Sequence, residues 1–317
     1  MILQVGKLVP ASTGRGTSGV PPAFNGHPAS LTTAFATNGA FVGALLPNSR
    51  MAVTAINRAI NTPNLVAPCL TTTSARLHSA VALAVDRGVL YFYCSDVVRR
   101  PVARLQRHGR IGKRIAAIAM SYKPPARRVL SSRSAIGWFY LLGMLEPIIR
   151  GFRPLSDVDV SALPRRPTRE SANDWLESLV PSDVAAEIAD LLRAVRDIRV
   201  PGVIRPNPVF GGLGWITGSD GDWIAGDTLV ELKCTVGGIK REHVAQLLCY
   251  YAFDQLCSIP ALRFGFSSLA LCLPRQRCTI VGSVDHWLAA FGAPARSELP
   301  MFVQGWCSDE GPSRSAV

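Results

Sequence analysis

Between residues 203 and 291 the apolar positions switch between strand-like and helix-like spacing. Val203–Phe210 has strand character, and a glycine-rich loop follows through Gly211-Gly212-Leu213-Gly214. Trp223-Ile224 and Leu229-Val230-Leu232 are apolar strand formers separated by Ala225-Gly226-Asp227-Thr228, a spacing that predicts a hairpin turning at Gly226-Asp227. A helix is expected from Lys240 to about Leu256, strands over Ser268–Leu273 and Cys278–Gly282, and a last helix near Val284–Phe291. Upstream, Pro181-Ser182 opens a helix running to about Asp197, with Val184, Ile188, Leu191, Leu192 and Val195 as its apolar stripe. The order is therefore helix, three strands, helix, strand.

The rest of the chain is less regular. Residues 1–60 are rich in Gly, Pro, Ser, Thr, Ala and Asn and read as loosely attached coil. Val89–Tyr93 is strand-like, and Val97–Met120 is partly helical until Lys123-Pro124-Pro125 ends it. Ser134–Ile149 reads as a mostly buried helix, and Pro154–Arg169 as a linker. After Ala295 the chain reads as irregular, with a short strand at Met301–Trp306. These patterns divide it into a poorly ordered segment (1–60), a basic, partly helical region (61–175), an α/β core (176–295) and a tail (296–317).

The hairpin has chemical content. Its register sets Ile224 against Leu229, Trp223 against Val230 and Asp222 against Glu231, and the next outward same-face pair is Asp220 with Lys233. Three carboxylates beside one ammonium are costly to assemble unless a cation joins them. Two carboxylates with water make a hard oxygen site of the kind Mg²⁺ prefers, and the lysine can orient an attacking water or stabilise charge on phosphorus oxygens. A solvated hairpin face with charges against aggregation has the same composition, and the spacing D-x8-E-x-K alone does not separate the two.

Asp222-Trp223-Ile224, then Glu231-Leu232-Lys233, then Gln246 and Tyr250 four apart on one helical face, resemble the signature of the PD-(D/E)XK nuclease superfamily, in its RecB-like branch with a QxxxY helix. Asn207-Pro208-Val209-Phe210-Gly211 resembles a strand found in uncharacterised members of that group, and the helix at 134–149 resembles their first helix. The resemblance covers about residues 180–285. It implies a restriction-endonuclease-like αβββαβ core, a mixed sheet flanked by helices, with a mostly helical basic N-terminal extension. It implies Mg²⁺ or Mn²⁺ held by Asp222 and Glu231, with Asp220 a further candidate, and Lys233 positioning the nucleophilic water. Gln246 and Tyr250 would line the active site. Glu187 is the candidate upstream acid, with Asp190 and Glu177 competing for that place. Some relatives carry an iron–sulfur cluster; only Cys272 and Cys278 resemble its ligands, and no cluster is expected. A non-catalytic nucleic-acid-binding protein on the same fold, within a larger complex, is the rival; an enzyme acting on another phosphate is a third reading.

Charge sharpens the partner. The net charge of +12 matches that of one window, Arg99–Arg153, which holds thirteen Arg or Lys and a single acid, Glu146. Such a cluster points to a polyanion, nucleic acid before an anionic membrane and DNA before RNA, with Arg104, Arg107, Arg110 and Arg114 as contacts. Lys240 and Arg241, opening the QxxxY helix, could hold a phosphate or form a solvated first turn. His243, His78, His108 and His286 read as surface histidines, and Arg275 as a loop arginine. Eight cysteines without framework spacing read as free thiols of a reducing compartment. No secretory signal or membrane span is evident, and a cytoplasmic protein is expected.

Overall fold

The structure, a computed structural model, describes residues 1–8, 29–30, 35, 39–60, 75–124, 130, 132–149 and 154–308. It divides into two compact units, Met1–Val66 with Ile198–Val317, and Ala67–Asp197.

The first unit begins with β1 (Ile2–Gln4), α1 (Val5–Leu8), β2 (Ala29–Ser30), α2 (Gly39–Leu45) and α3 (Ser49–Ile60). The second unit is helical: α4 (Ala75–Tyr93), α5 (Ser95–Arg99), a 3-10 helix over Arg100–Arg107, α6 (Gly109–Ser121), α7 (Arg133–Ile149), α8 (Arg169–Ser178) and α9 (Ser182–Asp197). The chain then returns to the first unit with β3 (Ile204–Pro206), β4 (Val209–Leu213), β5 (Ile216–Asp220), β6 (Trp223–Ala225) and β7 (Thr228–Leu232). α10 (Arg241–Leu256), β8 (Ser268–Leu273), β9 (Cys278–Ser283), α11 (Val284–Phe291) and α12 (Leu299–Cys307) complete it.

The first unit is mixed α/β, with a six-stranded mixed sheet in the order β1-β9-β8-β7-β6-β3 and a three-stranded sheet β2-β5-β4. The β7–β8 and β1–β9 pairs are parallel; β8–β9, β6–β7 and β3–β6 are antiparallel. β7 is central and buried along its whole length, as a strand covered on both faces must be. α10 is buried from Val244 to Asp254, which explains why QLLCYYAF shows no single apolar stripe. It packs with β4, β8, α2, α3 and α12.

The hairpin has the expected register, Ala225↔Thr228, Ile224↔Leu229 and Trp223↔Val230, with Gly226 at φ 60° in the left-handed region where glycine is free of Cβ strain. Several other expectations are corrected. Residues 39–45 and 49–60 are helical and place Phe41, Leu45 and Ile56 in the main core, so this part is not loose coil. Val89–Tyr93 continues α4, where Tyr91 meets Trp138 edge-on at 5.3 Å between centroids; a short apolar run does not distinguish strand from helix. Met301–Trp306 is likewise helical, since Leu299, Val303 and Trp306 recur at helix spacing and Trp306 stacks on Phe41. The helix 182–197 packs with α4 and α7 inside the second unit. Arg127, Arg128, Arg150, Arg153, Cys69 and residues 309–317 of the tail lie outside the described residues. Among the described residues, no helix is long and apolar enough to cross a membrane.

Candidate functional site

The end of β7 gathers several of the candidate residues. Glu231 is the fourth residue of a fully buried strand, and its side chain is 6% exposed. Lys233 leaves the ladder just beyond, its backbone N–H donating to the Cys272 carbonyl at 2.9 Å. Alternation along the strand puts both side chains on one face. There the Lys233 ammonium donates to Glu231 Oε1 at 2.8 Å and to Gln246 Oε1 at 2.9 Å. Gln246 then donates through Nε2 to Tyr250 Oη at 2.6 Å, and the Tyr250 hydroxyl donates to the Asp220 carbonyl at 2.8 Å. One connected chain therefore runs from Glu231 through Lys233, Gln246 and Tyr250 to the backbone of β5.

The amide of Gln246 cannot rotate within this arrangement. Its NH₂ is claimed by the phenol, so its carbonyl must face the ammonium. Burial raises the Tyr250 hydroxyl well above its ordinary range, and the charges of Glu231, Asp222 and Asp220 push the same way against the Gln246 hydrogen bond. The phenol stays protonated and keeps its hold on Asp220. Gln246 and Tyr250 thus act on Lys233 and on β5. Phe210, from the NPVFG strand, stacks on the Tyr250 ring at 5.0 Å between centroids and closes its far side.

The two aspartates arrive differently from expectation. The β6–β7 ladder stops at Trp223, so Asp222 is not a ladder partner of Glu231. Its Oδ2 accepts the Leu232 N–H at 2.5 Å instead, taking the next backbone position on β7. Asp220 lies in β5 of the smaller sheet, opposite Val209, because the chain changes sheets at Gly221, whose N–H donates to the Pro208 carbonyl. Lys233 itself contacts Glu231 and Gln246. Asp220, Asp222 and Glu231 do converge on the Tyr250 hydroxyl electrostatically.

Asp222 and Glu231 supply two carboxylates from neighbouring strand ends. Among the described residues, no group of three or more His, Cys, Asp or Glu is placed to hold a metal ion. Two carboxylates are hard oxygen donors, the type that an ion keeping several of its waters takes. Glu187 is buried on α9 of the second unit, Asp190 pairs with Arg193 three residues on, and Glu177 is on α8.

His243, read from the sequence as a surface residue, is mostly buried at the start of α10. Its Nδ1 accepts the Lys240 N–H at 3.1 Å, so the proton of the neutral ring sits on Nε2. Burial, and then the charges of Lys233 and Lys240, lower its pKa to about 3. Its position three residues before Gln246 is the only sequence signal that could have flagged it. Lys240 is exposed, and Arg241 is exposed with Nε on Glu242 at 3.0 Å.

In the second unit Arg104, Arg107 and Arg110 are exposed, and Lys113 continues their three-residue spacing. Arg114 does not belong with them. It is half-buried and donates to the Leu163 and Pro164 carbonyls, which ties α6 to the segment before α8. Arg99 is similarly committed, donating to the Tyr122 carbonyl and lying 5.6 Å from the Trp138 ring centroid. Compared with protein-family models, curated proteins and solved structures, the chain matches none.

Proposed function

We propose that this chain is a metal-dependent nuclease that hydrolyses phosphodiester bonds, with DNA as substrate, on a restriction-endonuclease-like core of the RecB-like type. The observation that carries the reading is the hydrogen-bonded chain Glu231–Lys233–Gln246–Tyr250, which links every residue of the ExK and QxxxY signatures in one buried array. The mixed sheet of the first unit, with the β6–β7 hairpin followed by α10 and β8, supports the reading, although five strands, β3 to β7, stand where the αβββαβ pattern has three and α9 belongs to the second unit. Asp222 and Glu231 would hold Mg²⁺ or Mn²⁺, which when bound neutralises charge on the scissile phosphate. Lys233, aimed by Gln246, donates to the attacking water or to a phosphate oxygen. Gln246 and Tyr250 are positioning residues in this scheme, and His243 offers a neutral N–H beside Lys233. The exposed Arg104, Arg107 and Arg110 are proposed to engage phosphates without regard to sequence.

The exposed cations of the second unit also favour a second reading, a nucleic-acid-binding protein without hydrolytic activity. Incubation with linear, circular and single-stranded DNA in Mg²⁺ or Mn²⁺, with EDTA as control, separates the two. Cleavage that depends on metal is the expected result. Binding of all three forms without cleavage in either metal supports the second reading and sinks the first.

A further inference from the structure

Between Lys233 and α10 the chain runs through Cys234-Thr235-Val236-Gly237-Gly238-Ile239-Lys240 without regular structure. This strap decides two things: where the lysine leaves β7, and where the helix carrying Gln246 and Tyr250 begins. Backbone carbonyls in such a segment normally turn to water. Here Cys234 O accepts from Arg275 Nε at 2.9 Å, and Thr235 O and Val236 O accept from Gln276 Nε2 at 3.1 and 3.3 Å. Gly238 O accepts from Thr235 Oγ1 at 2.5 Å. Asn57 of α3 pairs with both backbone groups of Ile239, donating to its carbonyl at 3.0 Å and accepting its N–H at 2.9 Å. Gly238, at φ 87°, has no room for a side chain, since a Cβ would sit 2.4 Å from Asn57 Oδ1.

Arg275 and Gln276 are 2% and 1% exposed, on a 3-10 turn (Pro274–Gln276) that follows β8 and ends at Arg277 with φ 48°. Because β8 neighbours β7 in parallel, a turn at the end of β8 lies beside whatever follows β7. Two buried, donor-rich side chains there are not surface contacts for DNA. Burying an arginine and a primary amide is costly unless donors are used, and the strap's carbonyls take Arg275 Nε and Gln276 Nε2.

Resting on the nuclease reading above, we propose that Arg275, Gln276 and Asn57 are positioning residues that hold the 234–239 strap and thereby fix the Lys233 ammonium between Glu231 and Gln246. The test uses the full chain with Gln276→Met, which removes the amide at similar volume, and Asn57→Asp, which keeps the acceptor for Ile239 N–H but loses the donor. Arg275→Met and its conservative counterpart Arg275→Lys complete the set. Three readouts are taken: amide hydrogen exchange over 234–240, acetic anhydride labelling of Lys233 without metal or DNA, and kcat and KM on linear duplex with Mg²⁺. Loss of a latch residue should speed exchange in the strap alone and raise Lys233 labelling. It should lower kcat about tenfold or more with KM nearly unchanged, and Arg275→Lys should recover much of the loss. A strap that exchanges faster while Lys233 labelling and kcat stay at wild-type values would overturn the proposal, as would no change in exchange. If wild-type protein does not cleave, the nuclease reading fails, and exchange together with labelling still decides whether the latch positions Lys233. Should Gln276→Met fail to fold, Asn57→Asp gives the same comparison through a milder change.

Discussion

Two regions of the molecule, the end of β7 in the first unit and the 3-10 helix with α6 in the second, place charge in opposite ways. At the end of β7, Glu231 and Lys233 are nearly buried and bonded to one another, and Lys233 also to Gln246. Along the 3-10 helix and α6, Arg104, Arg107, Arg110 and Lys113 stand in solvent with no ion pair among the described residues. Desolvation explains the difference. A buried ammonium survives only with an opposite charge and acceptors arranged around it, so its geometry is fixed in advance. An exposed guanidinium needs no partner and is free to meet a phosphate, at strengths that salt controls. Arg114, one residue beyond Lys113, makes the same point from within the second unit, because its donors are spent on Leu163 and Pro164.

The comparison breaks most decisively at the two carboxylates beside Lys233. On the proposed reading, Asp222→Ala or Glu231→Ala lowers metal-dependent cleavage by about a thousandfold while DNA affinity in EDTA is retained. Anisotropy and gel assays check the two halves, and wild-type turnover in either variant removes the site assignment. Lys233→Met should cost about a hundredfold in turnover with metal affinity preserved in calorimetry, and Lys233→Arg should not restore it, because a planar fork does not replace a compact ammonium between Glu231 and Gln246.

Tyr250→Phe is a smaller change with two readouts. It deletes the hydroxyl that donates to the Asp220 carbonyl and accepts from the Gln246 amide, so stability should fall by about 1–3 kcal/mol in urea unfolding. Turnover should fall as Gln246 loses its orientation; unchanged kinetics would mean the array does not aim Lys233.

The exposed side is probed by replacing Arg104, Arg107, Arg110 and Lys113 with Gln. DNA binding should weaken across unrelated sequences, and the salt dependence should flatten by about 0.9 in log–log slope for each phosphate no longer neutralised. Turnover at saturating DNA should hold. Arg114→Gln should instead lower the melting temperature with the salt slope intact.

The smallest effect expected concerns His243, whose pKa is about 3 in the folded chain against 6.5 as a free side chain, because it is buried beside Lys233 and Lys240. The unfolded chain gains a proton as pH falls through 6.5, while the folded chain does not until about 3. Stability therefore drops as pH is lowered across that window. His243→Gln should make unfolding free energy less steep in pH by up to one proton there; identical slopes in urea titrations between pH 7 and 4 would count against a buried neutral imidazole.

The sequence by itself determined what depends on neighbours along the chain. The hairpin register followed from alternation around Gly226-Asp227, and the mixed α/β class followed from the switches of apolar spacing between 203 and 291, though not the number of strands. Gln246 and Tyr250 share a helix face because they are four residues apart. Short apolar runs were ambiguous: Val89–Tyr93 and Met301–Trp306 became helices because Trp138 and Phe41 offered partners that no local pattern displays. The tertiary structure alone decided which charges are paired. Asp220 belongs to β5 of the smaller sheet because the chain changes sheets at Gly221, and Asp222 accepts a backbone N–H of β7. The latch on the strap joins residues 41 and 182 positions apart, Arg275 with Cys234 and Asn57 with Ile239. A buried polar group takes whichever partner the fold brings within about 3 Å, and over such separations that choice belongs to packing and not to spacing.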